Sequence, residues 1–413
     1  MNKKIIIFTS LLVLIFVMPL SAAHLSAATY EATSEPFAMH SLRSVSMGGA
    51  GLAVPEKTDG LFINPASLGQ RRFFLSMPSV AMTVYNVAAM ENENIIERFQ
   101  EAIDENDDAK LLNAIHSYLG TIGYGKGEIV STDVSMSVGF GSFGFGIVAQ
   151  ERMHTLNDTG TTSGIDVIAE LNAGFVAGYG LRIPLSEYVS LDVGASAKFL
   201  YRSYSKAIPL LETVTKFVND NDALEKLKEE TPVMGGYAIP VDVGATVNLP
   251  FGLSAGLVVR NLNGAYRMRV FDNVETLFQA LDSGSLLKDD PDSFTVKTPW
   301  SLDAGLAWTP KVAGGVLMPT IAVDLADITG FKKEKGNFGH MIANHLNIGA
   351  ELKILNTFDL RFGLNKGYMS VGAGIDLFVA RIDATYYWRE FGQKIGDKPL
   401  DALSVRVNLG FSR

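Results

Sequence analysis

The sequence predicts an all-β fold, a 14-stranded antiparallel transmembrane β-barrel with an N-terminal plug and helical insertions in its outer loops. Three observations predict it. The chain starts with an export signal, its later segments alternate apolar and polar residues, and short connections between those segments alternate with long ones. Together these observations indicate strands that cross a membrane as hairpins.

The composition excludes several classes of protein. The chain has 413 residues, of which 47% are hydrophobic and 19% charged, so it is too apolar to be disordered. It contains no Cys, which excludes a disulfide scaffold. A formal net charge of -9 argues against a nucleic-acid partner. The 40 Gly follow no collagen-like period, and we therefore expect them within regular structure.

The first 28 residues are typical of a secretory signal peptide. Lys3 and Lys4 precede a charge-free run at 5–20, and small-residue cleavage candidates follow at 21–23 and 26–28. The run is short for a membrane helix, which needs about 20 apolar residues. No later stretch reaches about 18 consecutive apolar residues, so a closed barrel is the remaining way to cross a membrane. We expect removal of residues 1–28 and insertion of the mature chain into the cell outer membrane.

The strands are predicted from alternation with a period of two residues. Between Val189 and Phe199, apolar side chains occupy the odd positions, whereas Asp192 and Lys198 lie on the even ones. The pattern recurs along the chain, and no apolar position in it carries a charge. A cationic side chain facing the middle of a bilayer costs about 2–4 kcal/mol, so lipid contact explains this absence. Strands of a soluble sandwich also alternate, but they are shorter, at about 5–6 residues.

Fourteen strands follow from this pattern. We place them near 72–86, 129–140, 143–152, 165–183, 188–203, 237–249, 252–262, 296–309, 316–327, 343–354, 357–365, 368–378, 380–390 and 401–411. The even-numbered connections are short and the odd-numbered ones are mostly long, with 366–367 as the exception. Turns on one side and loops on the other are typical of outer-membrane barrels, whose turns face the periplasm. The strands therefore form the barrel domain, 72–413.

Residues 29–71 are predicted to form a plug, because they are too irregular for strands. They contain two motifs, Met47-Gly48-Gly49-Ala50-Gly51 and Asn64-Pro65-Ala66. Gly48 and Gly49 permit positive φ and close backbone approach, and Asn64 can cap a short helix that begins at Pro65. A segment without a core of its own must pack against something, and the barrel lumen is the nearest surface. Charged lumen residues are expected to form a paired network that seats it: Asp192, Lys198, Asp242, Asp303, Arg361 and Arg406.

These two motifs, at the head of a fourteen-stranded exported barrel, resemble the FadL-type outer-membrane transporters of long-chain fatty acids, including the FadL-related proteins of spirochaetes. The match falls on Gly48, Gly49 and Gly51, and on 64–66. The resemblance implies an N-terminal hatch in the barrel, helical third and fourth outer loops forming a hydrophobic landing groove, and lateral exit at a kinked third strand. Relatives with this head include carrier barrels of a protein-secretion system, so the motifs indicate fold better than cargo.

Residues of this chain can be placed on each feature that the resemblance implies. The connections after the fifth and seventh strands carry helical patterning, and the candidate groove consists of Leu210, Leu211, Val214, Phe217, Leu277, Phe278 and Leu281. Alternatively, these faces pack on each other over the barrel mouth. Gly144 and Gly146 would permit a kink in the third strand. A further amphipathic helical insertion is predicted at 91–119, and its role is open.

The sequence contains no motif for catalysis, phosphate binding or metal binding, so we expect neither an enzyme nor a cofactor. The hypothesis is passive uptake. A hydrophobic small molecule, such as a long-chain fatty acid, lands on the outer loops, enters a pocket beside the plug and moves laterally into the outer-membrane lipid when the plug shifts. The alternative is a barrel that binds or carries a protein partner through its loops without transport. An open aqueous porin is the third hypothesis.

Overall fold

The structure is a computed structural model. It describes residues 36–39, 41–70, 73–105, 107–157, 159–209, 232–288, 290–310, 312–333, 338–392 and 394–412. The predicted signal peptide lies outside these residues, as do four of the predicted groove residues, Leu210, Leu211, Val214 and Phe217.

Fourteen antiparallel strands close into one barrel. They are β1 Phe74–Tyr85, β2 Gly125–Phe140, β3 Phe143–Asn157, β4 Ile165–Pro184, β5 Ser190–Pro209, β6 Val233–Ala238 with Val241–Asn248, β7 Leu253–Leu262 with Ala265–Phe271, β8 Phe294–Lys297 with Ser301–Trp308, β9 Leu317–Leu325, β10 Leu346–Ile354, β11 Phe358–Asn365, β12 Tyr368–Asp376, β13 Ala380–Glu390 and β14 Pro399–Ser412. Each strand pairs with the next, and β14 pairs with β1. The predicted fold class is confirmed.

Short turns lie at one end of the barrel and long connections at the other. The turns are 141–142, 185–189, 249–252, 309–316, 355–357 and 377–379, and we call this side the turn end. The connections at the other side, the loop end, include 86–124 and 272–293. The connection 366–367 is a tight turn at the loop end, as the sequence indicates. The sorting of connections by side is therefore as the sequence predicts.

Three neighbouring strands are each interrupted once, and the interruptions lie side by side. They fall at Ile239-Pro240 in β6, at Asn263-Gly264 in β7 and at 298–300 in β8. Pro240 has no N–H to donate to a ladder, and Asn263 has a φ of 58°, in the left-handed region. Beyond the interruptions, the segments pair with one another and with β5. We call these segments at the loop end the leaf: Val233–Ala238, Ala265–Phe271 and Phe294–Lys297.

The outside of the barrel is apolar and the inside carries the charges. Outward side chains such as Leu306 and Phe362 are 64% and 58% exposed. On the alternate positions, Asp192, Arg361 and Asp383 are fully buried inside. An apolar band around a closed barrel satisfies every backbone polar group while it contacts hydrocarbon. The protein is therefore an outer-membrane β-barrel.

Replacing Val405 by arginine tests this orientation. Val405 lies in the middle of β14 and faces outward, with 43% of its surface exposed. We expect the free energy of unfolding in phospholipid vesicles to fall by about 2–4 kcal/mol, because an arginine there would face hydrocarbon. Urea titration measures this change, and Val405→Leu is the control. An unchanged stability would place Val405 in water and contradict the assignment.

Helices lie in the N-terminal segment and in the long connections. They are α1 Leu42–Ser46, α2 Gly60–Ile63, α3 Val87–Asn92, α4 Ile95–Glu105, α5 Asp108–Ile122, α6 Val274–Asp282 and α7 Phe338–His345. Short 3₁₀ turns occur at Pro65–Gln70, Thr162–Gly164, Pro250–Gly252, Ser285–Leu287, Ala313–Gly315 and Ile328–Lys333. Within the described part of the chain, no helix has the length and apolar character needed to span a membrane.

The helical insertion in the first long connection covers the loop end of β2 to β4. Asp107 caps α5 by accepting hydrogen bonds from the N–H groups of Ala109 and Lys110. The apolar faces of α4 and α5 pack on the wall, where Ile95 and Leu119 are fully buried. The insertion predicted at 91–119 is therefore helical and packs on the wall at the loop end.

Candidate functional site

Residues 41–70, which we call the lumenal segment, lie inside the barrel and contact the wall on several sides. The N–H of Leu52 donates to Asp324 of β9, at 2.8 Å. A Cβ on Gly69 would lie 2.6 Å from the carbonyl oxygen of Leu181 in β4, so this part of the segment touches the opposite wall. Met47 is fully buried although the segment has no core of its own. The wall therefore provides the packing that holds the segment.

The Gly-Gly motif is required by contact between two backbones. Gly48 and Gly49 have φ values of 65° and 88°, in the region that favours glycine. A Cβ on Gly48 would lie 2.5 Å from the backbone N of Leu364 in β11, and a Cβ on Gly363 would overlap the backbone N of Gly48. Neither backbone can move aside as a side chain can. A glycine on each side thus permits the segment to lie flat against β11.

Asn64 holds two parts of the lumenal segment to each other and to β6. Its Oδ1 accepts a hydrogen bond from the N–H of Ala66, at 3.1 Å, at the start of the 3₁₀ turn Pro65–Gln70. Its Nδ2 donates to the carbonyl oxygen of Leu52 and to Oγ1 of Thr246, each at 3.1 Å. The side chain is fully buried. Every one of its hydrogen bonds is therefore shielded from water.

The wall formed by β10 to β14 carries a network of buried charges. Arg361 is fully buried and contacts three carboxylates: Glu351 at 2.8 Å, Asp359 at 2.7 Å and Asp383 at 2.8 Å. Arg43 of the lumenal segment joins the network through Glu351, with Nη2 to Oε2 at 2.7 Å and Nε within 3.0 Å of both oxygens. Planar two-point contacts of this kind fix orientation as well as charge.

Arg406 of β14 is the second link between this network and the lumenal segment. Its Nη1 lies 2.7 Å from Asp59 and its Nη2 lies 2.9 Å from Glu56. Burial by itself raises the pKa of the Glu56 carboxyl, but the guanidinium groups of Arg381 and Arg406 outweigh burial and hold that pKa well below its usual range. Glu56 is therefore ionised in the seated segment.

The charged lumen residues expected from the sequence are all paired, but most do not contact the lumenal segment. The pairs on the other walls are Arg182 with Asp192, Lys198 with Asp242, and Arg260 with Asp303. Arg361 belongs to the network and Arg406 reaches the segment. The sequence reading missed Arg43, Glu56 and Glu351, because a charge pair between the two ends of a chain leaves no local pattern.

The opposite wall, from β3 to β8, carries a group of apolar side chains on its inner face beside its ion pairs. We call its buried residues and the side chains on them the apolar cluster: Phe37, Leu61, Phe62, Leu68, Phe74, Val148, Ile168, Val176, Leu200, Tyr204, Met234, Ala238, Tyr266, Met268 and Val296. Five members of the cluster belong to the leaf: Met234, Ala238, Tyr266, Met268 and Val296. Barrel interiors are ordinarily polar, so an apolar cluster inside the lumen needs an explanation.

Gly144 and Gly146, the candidate exit kink, lie in β3 beneath the apolar cluster. A Cβ on Gly144 would lie 2.8 Å from Leu68, and one on Gly146 would lie 2.9 Å from Phe62. The pairing of β3 with both neighbours is regular at these two residues. In this structure the two glycines therefore make room for side chains of the lumenal segment.

The candidate landing groove is described only in part. Leu277 of α6 is buried against Val233 and Phe271 of the leaf, whereas Phe278 and Leu281 are 61% and 37% exposed. The remaining candidates lie outside the described residues. Phe278 and Leu281 thus present an apolar surface at the loop end, and their role in a groove stays a prediction.

A chamber of about 810 Å³ lies at the turn end, between the lumenal segment and the charged wall. Its lining mixes apolar surface with charged and polar side chains, which include Glu56, Lys353, Arg381 and Asn408. Among the residues that the structure describes, no group of three or more His, Asp and Glu side chains is placed to hold a metal ion. The lumen therefore has two chemically different sides, one with the apolar cluster and one with the network of buried charges.

No protein-family model matches the sequence, and no curated protein matches it. Solved structures resemble it in fold. The P. putida toluene transporter TodX is 11% identical, with 91% of this chain and 97% of that chain covered and a TM-score of 0.44. The Ralstonia pickettii toluene transporter TbuX is 12% identical, covers 91% and 98%, and has a TM-score of 0.43. A Pseudomonas aeruginosa FadL homologue is 12% identical, covers 92% and 97%, and has a TM-score of 0.38.

The chain has fourteen barrel strands, an apolar exterior and a lumenal segment that carries Gly48-Gly49 and Asn64-Pro65-Ala66. It is an outer-membrane β-barrel that resembles the FadL-type proteins.

Proposed function

We propose that this protein takes up hydrophobic small molecules passively across the outer membrane, with a long-chain fatty acid or a compound of similar shape as the cargo. The observation that carries the proposal is the apolar cluster. A barrel that only conducted water and ions would gain nothing from an apolar inner wall, because its inner face would be solvated. A hydrophobic molecule that enters beside the lumenal segment exchanges water for this wall and gains about 25 cal/mol for each Å² of apolar surface it buries.

Phe37 and Met39 occupy part of the space beside the apolar cluster, where a cargo molecule would bind. Phe37 is 6% exposed and belongs to the apolar cluster, and Met39 packs against it. Both precede the seated part of the lumenal segment, which begins at Ser41. A cargo molecule of similar bulk would take their place, and the segment N-terminal to Ser41 would move with them. Such an exchange would make the lumenal segment a movable plug.

We place the lateral exit at a bulge in β1. The pairing of β1 shifts register between Ser76 and Ser79 on both of its sides, toward β2 and toward β14. Within the bulge, Met77 faces outward with 59% exposure and Pro78 has no N–H to pair. A small cavity just inside the wall is lined by Ser79 and by Phe62 of the apolar cluster. The bulge is thus a local break in the ladder next to the cluster.

Native mass spectrometry of detergent-exchanged protein tests the proposal. We expect the purified barrel to retain an acyl lipid or to bind a labelled one, because the apolar cluster excludes water. Retention of a protein partner without lipid would instead support the carrier alternative. Large, stable conductance in a planar bilayer would support an open porin. Absence of any lipid binding would overturn the proposal.

Replacing Asn64 by alanine tests the plug. The change removes three buried hydrogen bonds and leaves Leu52 and Thr246 without this partner, at a cost of about 1–3 kcal/mol for each orphaned group. We expect uptake of a labelled hydrophobic compound to fall several-fold while the barrel still assembles, as judged by its heat-modifiable gel mobility. Asn113→Ala, on the exposed side of α5, is the control. Uptake equal to that of the unaltered protein would contradict a gating role.

A further inference from the structure

We infer that the apolar cluster selects uncharged ligands and excludes carboxylates, through Glu170 and Arg202. This inference rests on the proposed function and narrows its cargo to uncharged compounds with a chain like that of a fatty acid, rather than the ionised acid itself. Arg202 of β5 is the cation set into the apolar wall, between Leu200 and Tyr204 of the cluster. It is 1% exposed, and its guanidinium carbon lies 4.4 Å from the centre of the Tyr266 ring. An acidic ligand on this wall would meet Arg202 as its counter-ion.

The charge of Arg202 is already neutralised from within the wall. Its Nη2 lies 3.4 Å from Oε1 of Glu170, and its Nε donates to Oδ1 of Asn172 at 2.6 Å. Nδ2 of Asn172 donates to the same oxygen of Glu170 at 2.8 Å, which closes a ring of three side chains. Glu170 is 1% exposed and Asn172 is fully buried. The ring therefore carries no net charge toward the cluster.

The second oxygen of Glu170 adds a repulsive element. Oε2 is buried and accepts no hydrogen bond from any residue that the structure describes. A carboxylate ligand would place another negative charge near this oxygen and would itself lose its hydration without gaining a free cation. Burying an unpaired ion costs several kcal/mol, whereas a neutral O–H group could donate to Oε2. The site thus favours a neutral ligand over a carboxylate ligand with the same alkyl chain.

The neighbouring cations do not offer an alternative. Lys198 lies on the same strand as Arg202 but closer to the turn end, and it pairs with Asp242 at 2.5 Å. Arg152 of β3 pairs with Glu128 at 2.8 Å, and both are buried. Among the described residues, each of these lumenal cations already has a carboxylate partner. Removal of the Glu170 carboxylate would therefore take one negative charge away from the surroundings of Arg202.

The test compares dodecanol with dodecanoic acid on the purified full-length barrel at about pH 8, where a free carboxylic acid is ionised. Binding is measured by competition with a labelled alkyl probe. For the unaltered protein we expect at least about tenfold tighter binding of dodecanol, equivalent to about 1.4 kcal/mol. In Glu170→Gln, we expect the ratio to shift at least about tenfold toward the acid. In the double variant Glu170→Gln with Arg202→Gln, the preference for dodecanol should return.

Asp192→Asn is the matched control, because it also removes one buried carboxylate from a pair with an arginine, but at the turn end of β5. It should leave the ratio unchanged. Tighter binding of the acid by the unaltered protein overturns the selectivity inference and leaves uptake intact. Binding of neither compound overturns the proposed function as well. If Glu170→Gln does not assemble, the comparison on the unaltered protein still decides.

Discussion

Replacing Gly48 by alanine is expected to lift the lumenal segment from β11. The residue has a φ of 65°, and the added Cβ would lie 2.5 Å from the backbone N and O of Leu364. The conformation alone costs about 1–2 kcal/mol, and the backbone overlap forces the segment to move. We expect the protection of residues 41–70 against proteolysis or hydrogen exchange to fall at least about tenfold, while the barrel keeps its heat-modifiable mobility.

Gly123→Ala is the control for an alanine at a positive φ elsewhere in the chain. Gly123 has a φ of 70°, but it lies outside the lumenal segment and a Cβ placed there would meet nothing within 4 Å. The lumenal segment should therefore stay protected in this control. Equal loss of protection in both variants, or full protection in Gly48→Ala, would show that contact with β11 does not hold the segment.

Replacing Arg406 by methionine is expected to destabilise the seated segment most strongly at neutral pH. The change leaves Glu56, Asp59 and Asp383 without this guanidinium partner, and an uncompensated buried charge costs about 3–5 kcal/mol. In the unaltered protein the pKa of Glu56 is held well below its usual range, so its contribution is present above the usual carboxyl pKa and is lost as the pH falls through the lowered value. In the variant, protonation relieves the unpaired charge, so protection should increase as the pH falls.

A triple variant provides the control for this prediction. Adding Glu56→Gln and Asp59→Asn to Arg406→Met removes the two carboxylates of the segment that Arg406 pairs with and should restore much of its protection at neutral pH. Hydrogen exchange of residues 41–70 across a pH series measures both effects. Protection that is independent of pH in Arg406→Met, or that is not restored by the added changes, would contradict an electrostatic link.

The alternation of side chains was enough to predict the barrel. A wall in contact with lipid tolerates no charge outside, and this constraint repeats along every strand, so all fourteen predicted segments are present. Loop lengths added the orientation of the hairpins. The interruptions at Pro240 and Gly264 were not predicted. Their significance lies in their position side by side with the interruption at 298–300, and this position is visible only in the assembled sheet.

The contents of the lumen could be predicted less well. Gly48, Gly49 and Asn64 lie in a recognisable motif, but the partners Glu351 and Arg406 are about as far away in sequence as the chain allows, at separations of 308 and 347 residues from Arg43 and Asp59. The apolar cluster did leave a signal. Leu200 and Met234 are apolar where the alternation requires a polar residue, and such exceptions identify an inner wall that is not hydrated.

The interruption shared by β6, β7 and β8 separates the leaf from the rest of these three strands, while β5 continues past it and pairs with both parts. The leaf therefore joins the rest of the sheet through its ladder with β5 and through the three chain connections at the interruption. The tilt of the leaf therefore depends on what Met234, Tyr266 and Met268 rest against inside the lumen. The shape of the loop end at β6 to β8 therefore depends on the side chains or ligand that pack against the leaf inside the lumen.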